Sequence, residues 1–149
     1  MVVSQSDLAV VRDRLGREPT AAFEVVVRDA TGAPAVVRND PFTYDGTPMP
    51  TRYWLVDPVL VRAVSQLEAR GGVRAAQAAV DPEALRRAHE IYTAERDALI
   101  DENYAGPRPY GGVGGTRTGV KCLHAHYAWH LAGGSDPVGE WVSEKIEIK

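Results

Sequence analysis

The chain has 149 residues, 44% hydrophobic and 25% charged, with a net charge of −3. That balance excludes an intrinsically disordered chain, and the length predicts a single domain, 1–149, with a sizeable core. No basic excess points to nucleic acid, no apolar run nears the ~20 residues that span a bilayer, and one cysteine permits no internal disulfide.

The opening "MVVSQSDLAVV" lacks the basic and long apolar regions of a secretory signal, which with the lone thiol predicts a cytoplasmic protein. Ser4 or Ser6 can cap a first helix reaching about Leu15, with Leu8, Val11 and Leu15 on one face and Gly16 as its stop. "AAFEVVVRD" (21–29) is rich in β-formers, "ATGAP" turns the chain, and "AVVRN" returns it as a hairpin. Beyond the proline-rich "DPFTYDGTPMPT", "RYWLV" (52–56) predicts a third strand. Asp57-Pro58, Asp81-Pro82 and Asp136-Pro137 each mark a helix start, because the aspartate accepts orphan N–H bonds and proline fits the first turn. They open "PVLVRAVSQLEARGG", stopped at Gly71 and Gly72, then "PEALRRAHEIYTAERDALI", then "PVGEWVSEKI". A further helix is predicted from Thr118 or Gly119 to Ala132, ended by Gly133 and Gly134. The fold class is α+β: a small antiparallel sheet of about three strands packed by four to five helices.

"YGGVGGTRTGVK" (110–121) holds five glycines. Such a loop can turn backbone N–H groups onto an anion, and the positive end of the following helix reinforces it. Gly112, Gly114, Gly115, Arg117 and Lys121 are therefore candidate binders of a phosphate or carboxylate on a small anionic ligand. A tightly turned surface loop is the alternative, since neither Gly-x4-Gly-Lys-[Ser/Thr] nor Gly-x-Gly-x-x-Gly is present.

"GVKCLHAHYAWHLAGG" (119–134) contains the only cysteine and three of the four histidines. In a helix regular from Gly119, Cys122, His126 and His130 stand at i, i+4 and i+8 on one stripe, and His124 points away. In a helix regular only after Cys122, Cys122 and His124 converge instead. Thiolate and imidazole suit zinc or another divalent transition metal. The same residues suit a thiol nucleophile, with Cys122 near a helix N-terminus and His126 as its base. Alternatively, Cys122 is a small buried hydrophobe and the histidines are structural. His89 and Glu95 read either as general bases or as a solvated helix face, and the loop 39–52 as a partner surface or a packed loop.

"GREP" (16–19), "DGTPMPTRYWLVDP" (45–58), "GGVGG" (111–115), "GVKCLHAHYA" (119–128) and "DPVG" (136–139) occur in one order. With these blocks the chain resembles the bacterial family called domain of unknown function 501, from about Leu8 to Val142. The resemblance implies no reaction. Family members are often encoded beside a septum-formation initiator and an exopolyphosphatase-like protein, which implies a cell-division, envelope or polyphosphate context. Many members carry cysteine or histidine at the position of Asp57 and cysteine at that of Asp29. Because Cys, His and Asp exchange as metal ligands, the resemblance implies Asp57 and Asp29 as distant partners of Cys122, His124 and His126. The alternative makes Asp57 an N-cap and Asp29 a turn residue. Two functions follow: hydrolase or transferase chemistry on an anionic small molecule, or a non-catalytic interaction or regulatory module with a structural Cys/His/Asp cluster.

Overall fold

In the computed structural model, which describes residues 3–148, the chain begins with α1 (Gln5–Leu15). Ser4 caps it by accepting the Asp7 N–H, and Gly16 closes it in the left-handed region at φ 73°. Strands β1 (Phe23–Arg28), β2 (Pro34–Asn39) and β3 (Tyr53–Leu55) form an antiparallel sheet in that order. Val36 pairs with Leu55, and Val37 with Trp54. Alternation then sends Val36 toward the helices and Val37 toward Val11 of α1. Both faces of β2 are covered, which is why its apolar run is buried almost throughout.

All three Asp-Pro pairs start helices. Asp57, Asp81 and Asp136 accept N–H bonds from the first turns of α2 (Pro58–Ala69), α4 (Pro82–Asp97) and α6 (Pro137–Lys145). The double glycine, expected only as a stop, is also a start. Gly71 turns left-handed at φ 86°, and Gly72 opens α3 (Gly72–Ala79). A Cβ on Gly72 would sit 2.6 Å from the Leu67 carbonyl oxygen, so the hinge requires glycine there. The described residues therefore hold six helices rather than four to five.

The helix expected from Thr118 or Gly119 begins later, as α5 (Leu123–Leu131), with Cys122 extended at φ −141°, ψ 115°. The preceding residues are tied sideways instead of along a helix axis. Gly119 is left-handed at φ 67°, its carbonyl meets His89 Nε2, and the Val120 N–H donates to Gln77 Oε1. Cys122 thereby leaves the stripe that it would have shared with His126 and His130.

Loops are fastened to this frame by a buried cation. Arg96 is 1% exposed, and its Nη1 donates to the carbonyls of Pro50 (3.1 Å) and Gly111 (2.8 Å). Arg96→Met keeps much of the apolar stem but strips both carbonyls of a donor. It is expected to lower stability by about 2–3 kcal/mol, read from the urea midpoint; an unchanged midpoint would deny the clamp its role.

Candidate functional site

The start of α5 lies against the end of α2, and this meeting brings Cys122 and His124 to Glu68. Glu68 Oε2 accepts the Leu123 N–H at 2.8 Å, so a carboxylate of the protein occupies the positive end of α5. The same oxygen lies 3.4 Å from His124 Nδ1. The other ring nitrogen, Nε2, is 3.0 Å from Ser65 Oγ and 3.3 Å from the Val61 carbonyl. A carbonyl only accepts, so Nε2 carries the hydrogen there and Nδ1 is turned to Glu68 and Cys122. One donor atom each from Glu68, Cys122 and His124 lies within 4.8 Å of the other two. A tetrahedral zinc ion holds its ligand atoms roughly 3.5 Å apart, so modest side-chain movement would close this group on one ion.

Burial pushes the Cys122 thiol up, but its hydrogen bonds to His124 and the Ala125 N–H outweigh burial and leave it below the usual thiol range; Glu68 opposes them. The bond to Cys122 holds His124 above the usual imidazole range, against burial and with help from Glu68. Each group thus eases the charging of the other relative to an isolated thiol or imidazole. Cys122 and His124 line a pocket of about 370 Å³ along the outer strand β3, walled by Leu15, Trp54, Leu55 and Val61 and edged by Arg17. Glu68 faces the neighbouring hollow, with Arg74 and Gln77.

Residues 25–144 match the family model described as protein of unknown function (DUF501). The chain belongs to that family. Comparison with curated proteins and with solved structures gives no match. The part that matches DUF501 contains Glu68, Cys122 and His124, whereas Leu15 and Arg17 precede it. No helix among the described residues of this DUF501 chain is long and apolar enough to cross a membrane.

The other expected site residues lie elsewhere. Asp29 turns the β1–β2 hairpin: its Oδ1 accepts from the Thr31 hydroxyl, Thr31 N–H and Ala33 N–H, and its Oδ2 lies 3.4 Å from Arg14. The Thr31 hydroxyl leads in holding that carboxyl at about 2. Asp57 is an N-cap, its Oδ1 taking the Val59 and Leu60 N–H groups. Neither is among the three donors that converge.

The His126 imidazole is not among the donors that converge with Cys122; it is wholly buried and bonds Asp136 through Nδ1 at 2.6 Å, while its backbone N–H meets the Cys122 carbonyl. The shift in helix start explains this, because one turn into α5 the side chain meets α6 rather than α2. Part of the glycine loop is committed to internal acceptors. Its Gly112, Val113 and Gly115 N–H groups go to the Thr116 carbonyl, His89 Nδ1 and the Gly112 carbonyl. Gly114 lines the β3 pocket, Lys121 is exposed, and Arg117 lies over the Tyr110 ring at 4.1 Å.

His89 is 3% exposed, so it belongs to no solvated face. It accepts from Val113 and donates to Gly119, and burial lowers its pKa, which keeps it a neutral clamp on the loop. Glu95 accepts the Tyr53 hydroxyl at 2.9 Å and ties α4 to β3. Glu68 and Arg17 escaped the sequence reading. Glu68 is 54 residues from Cys122, and its one local signal is its place beside the buried Leu67 on α2.

Proposed function

We propose that Glu68, Cys122 and His124 form a zinc-class metal centre that serves hydrolysis or group transfer on a small anionic molecule, in a reducing cytoplasm. The convergence of the three donor atoms within 4.8 Å carries this reading. Three protein ligands leave a fourth position for water or substrate, the arrangement of catalytic rather than structural zinc. A bound divalent ion supplies an activated water or a polarised substrate oxygen. The protein's own part is to ease ionisation of Cys122, to hold His124 by Val61 and Ser65, and to place both on the pocket.

Alkylation of Cys122 by iodoacetamide tests the reading. In chelated protein the rate is expected to reach half its maximum at a lower pH than in unfolded protein measured alongside, because the lowered thiol is thiolate from a lower pH upward. In His124→Ala the opposing push of burial prevails and the midpoint moves up. Zinc is expected to block alkylation in the parent protein. An ordinary midpoint that His124→Ala leaves alone, together with no protection by zinc, would reject the proposal.

The Glu68 bond to the Leu123 N–H favours a second reading, in which the cluster only fastens α2 to α5. In that case chelation unfolds the protein; in the first, the chelated chain keeps its fold and loses only the metal.

A further inference from the structure

We infer that the pocket along β3 takes a small compound with an apolar body and one anionic group, and that Arg17 reads the charge. The inference rests on the reading of Cys122 and His124 as the reactive floor of that pocket. Three observations carry it. First, the walls are apolar and aromatic, and a volume of about 370 Å³ suits a small organic molecule. Second, Arg17 edges the pocket with its guanidinium 5.0 Å from the centre of the Trp54 ring. A cation laid on an indole keeps its N–H edge turned outward for a carboxylate or phosphate. Third, Arg17 has no ion pair among the described residues. The nearby Arg12 and Arg14 are matched to Glu18 and Asp29, and among the described residues the one hydrogen bond from Arg17 goes to the Glu18 carbonyl at 3.4 Å. Arg117, the expected anion reader, borders a different hollow beside Arg86 and Glu90.

The shared ligand chemistry is an anionic head on a flat or branched apolar body. Phenylacetate, phenyl phosphate and the neutral phenylacetamide separate its components. Binding is measured by calorimetry on zinc-loaded and on chelated protein, with Trp54 fluorescence as a second signal and Trp54→Phe as its control. At least one anion is expected to bind roughly 10-fold or more tighter than the amide. The tighter of the two anions identifies the head group as carboxylate or phosphate. That preference should survive chelation, which excludes direct coordination of the probe to metal as its cause. Arg17→Gln is expected to abolish the preference, bringing the favoured anion to the affinity of the amide measured on the same variant.

Equal binding of all three probes, binding of none, or a preference that Arg17→Gln leaves intact would overturn the inference. Failure of the metal centre is read separately, as absence of zinc uptake, and leaves a preference measured on chelated protein standing.

Discussion

Cys122→Ser is expected to weaken zinc binding at least ~100-fold, because even partners that only orient a ligand cost roughly 10–100-fold when removed. His124→Ala should match it, since an imidazole is lost outright. Glu68→Gln should cost less, for the amide oxygen remains, and that oxygen can still accept the Leu123 N–H that Glu68 Oε2 holds at 2.8 Å. Ser65→Ala, which removes one of the two contacts at His124 Nε2, should fall at the low end, about 10-fold. Asp29→Asn and Asp57→Asn test the ligands implied by family resemblance. Both carboxylates are engaged in a turn and a cap, and zinc affinity is expected to stay unchanged. Competition with a chromophoric chelator reads the affinities, and the urea midpoint of each metal-free form shows whether it is folded. Parent-like affinity in folded Cys122→Ser would remove the centre; a loss on Asp57→Asn would return that residue to it.

The fold was legible where local chemistry decides it. Ser4, Asp57, Asp81 and Asp136 are side chains that satisfy orphan N–H groups within three residues, so their helices are written in short stretches of sequence. α3 was missed because Gly71 and Gly72 look alike in sequence, yet one is left-handed and the other helical. What separates them is the Leu67 carbonyl, a contact that only the folded turn reveals.

The site was half legible for the same reason. The convergence of Cys122 with His124 depends on where α5 becomes regular, and that point is fixed by Gln77 and His89, which are 43 and 30 residues from their loop partners. Local helix signals extend α5 too far, and the wrong start rotates Cys122 onto His126. Glu68 completes the group through tertiary contact alone. A glycine-rich loop before a helix also reads as an anion cradle, and sequence does not reveal that the Gly112, Val113 and Gly115 N–H groups already have acceptors inside the protein.

Asp136→Ser is expected to destabilise the protein by about 3–5 kcal/mol. Serine still serves as an N-cap for α6, so the loss isolates the partner of His126. Both side chains are wholly buried, with Nδ1 and Oδ2 2.6 Å apart. The helices also touch at the backbone there: a Cβ on Gly139 would sit 2.7 Å from the His126 carbonyl oxygen. Removing the carboxylate leaves a buried imidazole with no partner on Nδ1, and Nε2 is already buried without one. That second, orphaned nitrogen makes the sign of the next experiment informative. If the pair is costly to bury and valuable only while intact, His126→Leu added to Asp136→Ser should recover stability, to within about 2 kcal/mol of the parent. Urea unfolding of the parent, Asp136→Ser and the double variant gives the coupling directly. A double variant less stable than Asp136→Ser alone would mean that His126 holds α5 by packing against His89, whose ring centre is 5.8 Å away, and not by its bond to Asp136.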